Sequence, residues 1–273
     1  MTLEAVDITA GYGRLIAVDR VSATIEPGAI TAILGPNGSG KSTLVKCMAA
    51  LLRPRSGTIT LDGAPINQLP RRALARRLGV LPQRPVTPGG LTVREVVALG
   101  RWAHTRRFGG GDAGGHDAVS QAIAACDLEP LATRNASELS GGEQQRAHLA
   151  VALAQEPSVL LLDEPIAALD VHHQLETLAL IRRLNRERGL TVGVVLHDLT
   201  LASRFADRVI VMESGRVRAM GPCHDTLTPE LVSSVFRCRA SLVAGGGGAL
   251  WDFAPGDTES APLDAAVPGA RSS

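Results

Sequence analysis

Residues 30–34, Ile-Thr-Ala-Ile-Leu, run straight into Gly35, Pro36, Asn37, Gly38, Ser39, Gly40, Lys41 and Ser42, with Thr43 next. The apolar run reads as a buried strand. Residues 41–52 read as the helix that follows it. Glycines in the loop between them let the backbone wrap with its N–H groups turned inward. Together with the helix N-terminus, those groups make an anion site. The GxxxxGKS spacing puts Lys41 at the β- and γ-phosphates of a nucleotide and the Ser42 hydroxyl on Mg²⁺. Lys41 and Lys46 are the only lysines, and the other strong bases are all arginine. A compact point charge is wanted at Lys41, where a planar guanidinium fits less well.

Residues 159–165 read Val-Leu-Leu-Leu-Asp-Glu-Pro. The four apolar residues predict a strand buried on both faces. Asp163 at its carboxyl end would hold Mg²⁺, and Glu164 would orient or deprotonate the attacking water. Alone, such a pair reads as a surface acidic end to a strand. Beside the loop at 35–42 it reads as chemistry. A second glycine-rich grip follows Leu139, with Ser140, Gly141 and Gly142 leading into Glu-Gln-Gln-Arg146. A serine cap and an early glutamate start a helix there. A plain capped helix has no need of two glycines in its first turn. One long helical stretch separates Ser140 from Asp163, so the second grip points away from the first. The two cannot serve the same nucleotide, and the chain needs a second chain to complete its site.

These residues resemble the nucleotide-binding subunit of an ATP-binding cassette (ABC) transporter, over about residues 1–240. The resemblance implies an α/β fold: an ABC-type nucleotide-binding domain with a RecA-like phosphate-loop core, an antiparallel β flank and a helical subdomain. It implies an ATPase with ATP and Mg²⁺ as cofactors. Tyr12 matches the aromatic that stacks on adenine, and Gln83 the glutamine contacting Mg²⁺ and the γ-phosphate. Ser140, Gly141 and Gly142 match the signature that caps ATP held by the opposite subunit. Asp170 matches the loop that crosses the dimer interface, and His197 the histidine touching the γ-phosphate. The implied partners are a second copy in an ATP-dependent dimer, a polytopic membrane permease and, indirectly, a substrate-binding protein. The implied place is the cytoplasmic face of the membrane, held there through the permease. Residues 72–83, 91–101, 169–176 and 197–207 resemble the subgroup that imports iron–siderophore, haem and cobalamin-type chelates. One departure is Ile166-Ala167, where many members carry Thr-Ser.

Organisation along the chain agrees. Strands near 3–9, 21–25 and 57–61 read as the antiparallel flank, and 70–77 as a short basic helix. Residues from about 84 to 155 are helical by periodicity. Strands at 158–162, 191–196, 208–212 and 216–220 alternate with helices at 172–187 and 199–206, an α/β pattern. Residues 241–243 and 249–253 flank a glycine run and read as a hairpin. The ATPase domain is expected over 1–255, with 256–273 a disordered tail and the glycine-rich stretch 108–115 mobile. A net charge of +1 gives no nucleic-acid field. Cys47, Cys126, Cys223 and Cys238 show no metal-type spacing, and His172 and His173 read as a solvated helix start. No leader and no apolar run near the ~18 residues of a membrane span are present. A DNA- or ribosome-acting ABC ATPase usually carries two cassettes or a long coiled coil. A phosphate-loop kinase or GTPase leaves residues 139–146 unexplained.

Overall fold

The computed structural model describes residues 1–105, 112, 114–245 and 248–255. Its strands are β1 (Leu3–Tyr12), β2 (Leu15–Ile25), β3 (Ile30–Leu34), β4 (Ser56–Leu61), β5 (Ala64–Pro65), β6 (Leu78–Leu81), β7 (Val159–Leu162), β8 (Thr191–Val195), β9 (Arg208–Glu213), β10 (Arg216–Pro222), β11 (Cys238–Gly245) and β12 (Gly248–Pro255). Its α-helices are α1 (Lys41–Met48), α2 (Arg71–Ala75), α3 (Val93–Ala98), α4 (Gly115–Ala125), α5 (Gly141–Ala154), α6 (Val171–Arg188), α7 (Leu199–Phe205), α8 (Cys223–Thr226) and α9 (Pro229–Phe236).

The central sheet runs β10-β9-β3-β8-β7-β6, and β9, β3, β8, β7 and β6 are mutually parallel. Alternate residues of these strands feed two separate cores. Ile30, Ala32 and Leu34 of β3 pack with Leu160 and Leu162 of β7 and Val192 and Val194 of β8, on the face shared with α3, α4 and α5. Ile33, Leu161, Val195 and Ile210 point the other way, towards β1, β2 and α1. A sheet covered on both faces needs apolar residues at every position, which is why these runs lack a polar alternation. The second sheet, β2-β1-β4-β5, is antiparallel and closes the second core.

Several expectations shift in detail. The sequence predicts the loop helix over 41–52, but α1 stops at Met48. Ala50 takes φ 56°, and the N–H groups of Leu51 and Leu52 turn back onto the Lys46 carbonyl. By sequence, residues 216–220 are one more strand in the strand–helix alternation. Instead β10 pairs antiparallel with β9 across Ser214 and Gly215, both at positive φ, a two-residue hairpin with no helix between. Residues 84–92 are not helical. The helical region begins at Thr92, whose hydroxyl and Glu95 form a reciprocal capping box. Helices α3, α4 and α5 then share one core with the sheet. The C-terminal hairpin is longer than expected, and its Trp251 Nε1 donates to Ser203 Oγ on α7 at 2.9 Å. The expected tail at 256–273 and most of the glycine stretch 108–115 lie outside the described residues.

Residues 101–105 form a strap between the central sheet's α2 and the far end of α5. Arg76 Nε donates to the Ala103 carbonyl and an Arg72 NH to the Thr105 carbonyl, each at 3.0 Å. His104 Nε2 lies 2.9 Å from the Gln155 carbonyl. Arg101 is buried, donates to the Ala154 carbonyl at 2.8 Å, and is paired with Glu156 and Asp112 at 2.6 Å. On this strap Trp102 is exposed, with Leu99 one turn before it.

Candidate functional site

Parallel strands leave the sheet on one side, and the loops after them gather there. The loop after β3 carries residues 35–40, and Gln83 follows β6. Asp163 and Glu164 follow β7, and His197 follows β8. Backbone bonds hold these ends level: Asp163 N donates to the Leu81 carbonyl at 2.9 Å and Leu196 N to the Ile33 carbonyl at 3.3 Å.

The loop is shaped as an anion cradle. Gly35, Gly38 and Gly40 sit at φ 146°, 76° and 101°. A Cβ on Gly35 would strike the Met212 carbonyl and stand 2.8 Å from Ser39 Oγ; one on Gly40 would meet the Ala17 carbonyl. Only glycine satisfies both the dihedral and the space. Ser39 Oγ is buried with no hydrogen-bond partner among the described residues. Helix α1 has Gly40 at its N-cap, no side-chain cap and no acid in its first turn. Its first helical bond is given by Leu44 to Gly40, which leaves the N–H groups of Lys41, Ser42 and Thr43 without helical acceptors. By contrast, α3 and α5 are capped by their own side chains. An anion fits this end of α1.

Lys41 is buried and its ammonium donates to the carbonyls of Gly35 at 2.7 Å and Pro36 at 2.9 Å. Burial lowers its pKa, against the pull of Glu164 and Asp163. Burial likewise raises the Asp163 carboxyl, against a hydrogen bond from Ser42. Removal from water therefore outweighs the attraction between these opposite charges. Ser42 Oγ and Asp163 Oδ1 lie 3.0 Å apart. Two hard oxygens side by side, one on a carboxylate, suit Mg²⁺.

Glu164 bridges the other two loops. Its Oε2 accepts from Gln83 Nε2 at 2.6 Å, and its Oε1 lies 2.8 Å from His197 Nε2. Its backbone is left-handed, φ 54°, a conformation that costs a non-glycine residue about 1 kcal/mol or more. A cavity of about 210 Å³ adjoins the group, lined by Val45, Lys46, Pro82, Gln83 and Asp163 among others. Tyr12 ends β1, half exposed, with Lys46 Nζ 5.9 Å from its ring centre.

The sequence's first group of residues thus converges. The second does not join it. Ser140 and Glu143 bond each other reciprocally at the start of α5. Among the described residues no hydrogen bond links Ser140, Gly141 or Gly142 to residues 35–43. Asp170 caps α6 by accepting from His173 N at 2.9 Å. Sequence reasoning missed two contacts here. Thr87 Oγ1 lies 2.9 Å from His148 Nε2, which ties the loop after Gln83 to α5. The His173 ring lies directly against Gly142. Neither pairing carries a local sequence signal, because the partners are far apart in the chain.

The family model described as ABC transporter matches residues 18–167, more than half of the chain. The chain is 39% identical over 241 residues to the ferric enterobactin transport ATP-binding protein of Escherichia coli (strain K12), spanning 88% of this chain and 89% of that protein. It is 43% identical over 246 residues to the hemin import ATP-binding protein of Rhizobium meliloti (strain 1021), spanning 87% and 92%. Among solved structures, a chain of an inward-facing metal-chelate type ABC transporter superposes with a TM-score of 0.79 at 26% identity, covering 93% of this chain and 97% of that one. A bacterial ABC transporter cassette solved as a dimer gives 0.70 at 31% identity, covering 81% and 98%. No helix among the described residues is long and apolar enough to cross a membrane.

Proposed function

Because the chain belongs to the ABC transporter family, as an ATP-hydrolysing subunit, we propose that it energises uptake of a metal chelate: an iron–siderophore, haem or a cobalamin-type corrinoid. The observation that carries this reading is the agreement among relatives. Proteins named for ferric enterobactin, hemin and cobalamin match it at 39%, 43% and 39% identity.

The residue roles are proposals of the same reading. ATP phosphates lie in the cradle of Gly35, Pro36, Asn37, Gly38, Ser39 and Gly40, and the Lys41 ammonium exchanges its two loop carbonyls for phosphate oxygens. Thr43 adds a first-turn N–H donor. Tyr12 offers its exposed ring to adenine. Ser42 and Asp163, with Gln83 nearby, hold Mg²⁺, which supplies neutralising charge at the phosphates. Glu164 accepts a proton from the attacking water. Gln83 and His197 each fix one of its oxygens, so the base is oriented before water arrives.

Ser140, Gly141 and Gly142 cap the nucleotide of a second copy. A closed two-fold pairing presents the same surface on both chains and makes two such sites. A permease docks near the strap of residues 101–105 and the loop 84–92, on the cytoplasmic face, with a substrate-binding protein acting through it. The exposed Trp102 and Leu99 and the very exposed Val86 support this placement.

Two measurements test the reading. Lys41→Ala and Gly141→Asp chains should each lack ATP-driven association when pure. Mixed, they should recover part of it, because one composite site stays whole. No recovery would count against shared sites. Chelate import is tested by ATPase stimulation with the cognate permease and binding protein, loaded or unloaded. Equal rates with and without chelate would overturn it.

A further inference from the structure

The N-termini of α5 and α6 interlock. A Cβ built on Gly142 would stand 2.9 Å from His173 Cγ and 3.1 Å from its Nε2, with Cδ2 nearer still. That ring is fixed. Its Nδ1 lies 2.8 Å from Asp170 Oδ1, and the same oxygen accepts the His173 backbone N–H. Both contacts hold the Asp170 carboxyl well below the usual carboxylate range, so it stays ionised. One residue earlier, Leu169 Cδ2 lies 3.9 Å from where a Gly141 Cβ would be. One turn further, Arg146 of α5 reaches Glu176 of α6 at 3.5 Å.

The first helical bond of α5 is given by Gln144 to Ser140. The N–H groups of Gly141 and Gly142 therefore belong to the first-turn donors that a helix cannot satisfy itself. What sets their height is whatever Gly142 rests upon, and that is the imidazole of His173.

We propose that His173 is a positioning residue for the phosphate grip: clamped by Asp170, its ring seats Gly142 and so aims the Gly141 and Gly142 N–H groups at the nucleotide of the second copy. This rests on the composite-site reading above. It adds that glycine at 142 is demanded from within its own chain, independently of any bound phosphate. A methyl group there must break the ring away from Asp170 or lift the helix start.

The test uses full-length chains in a Glu164→Gln background, where slowed turnover should let bound ATP persist. Sedimentation reads ATP-driven association, and a fluorescent ATP analogue reads affinity of the single chain. Thermal melting reads the fold. Gly142→Ala should weaken association roughly tenfold or more, and His173→Ala by about tenfold. Single-chain ATP affinity should stay within about twofold in both. The double variant should associate no worse than His173→Ala alone, because the methyl group now has room. Gly142→Ala should lower the melting temperature only while the ring is present. This keeps the reasoning testable even if one variant folds poorly. A double variant as weak as Gly142→Ala, or His173→Ala associating like its parent, overturns the assignment. A Glu164→Gln parent that does not associate with ATP overturns the composite site itself, and the role of His173 with it.

Discussion

Glu164→Gln separates catalysis from architecture more sharply than other changes at the site. Glutamine keeps the length of the side chain and meets the same backbone cost at φ 54°. Its amide oxygen can still accept from Gln83, 2.6 Å away in the parent. Its amide N–H can donate to His197 Nε2 once that imidazole carries its proton on Nδ1. Two charge-assisted contacts become neutral ones, a loss of roughly 1–2 kcal/mol in total. What does not survive is the base. Losing it should slow hydrolysis at least ~10²-fold, equivalent to about 2.7 kcal/mol in the barrier. The assay is phosphate release at saturating ATP, with nucleotide titration and a thermal melt on the same preparation. The expected result is near-parental binding, a small drop in melting temperature and a large drop in turnover. Turnover within about threefold of the parent would remove Glu164 from the base role, since a general base contributes far more than that.

Lys41→Ala removes a desolvated ammonium and should weaken ATP binding by about tenfold or more, read by titration. Asp163 has a raised pKa in the fold, because burial disfavours its charge. The stability this group contributes is present below its ordinary value of 3.8 and is lost as pH rises through its raised native value. Asp163→Asn should therefore raise the melting temperature at pH 7, leave it unchanged near pH 3, and abolish Mg²⁺-dependent hydrolysis; a lower melting temperature at pH 7 would contradict the sign. Burial pushes the Cys126 thiol up to about 12 and those of Cys47 and Cys223 up to about 11. Mass spectrometry after brief alkylation of the native chain at neutral pH should find Cys238 modified ahead of these three, with the rest reacting on unfolding.

Residues that carry their message locally were legible. The loop at 35–42, the strand before it and the serine-capped start of α5 each follow from a short run of residues and their spacing. Gln83 and His197 carry no such signal of their own, and only the family resemblance places them with Asp163 and Glu164. Distant closure was not legible. Residues 216–220 read as one more strand of the strand–helix alternation, and only the positive φ of Ser214 and Gly215 turns β10 back onto β9. Thr92 and Glu95 spell a helix start, yet periodicity over 84–155 hides it. β2 begins at Leu15, six residues before the expected 21–25. Leu15 and Ile16 are exposed and lack the alternation that marks a half-buried strand. Arg101 looks like another surface arginine until the fold brings Glu156 beneath it.

The strap at residues 101–105 is held in a way that frees its own sequence. Arg72, Arg76 and His104 all bond to main-chain carbonyls, and every residue type carries one of those. Trp102 can therefore drift without loosening the tether, as can the side chain at 105, while the buried Ala103 stays small. Over evolutionary time the outward surface of such a segment can be rewritten to suit a new neighbour while its mechanical attachment is inherited unchanged. For an engineer, the strap is a cassette whose face can be exchanged and whose hinges stay in place.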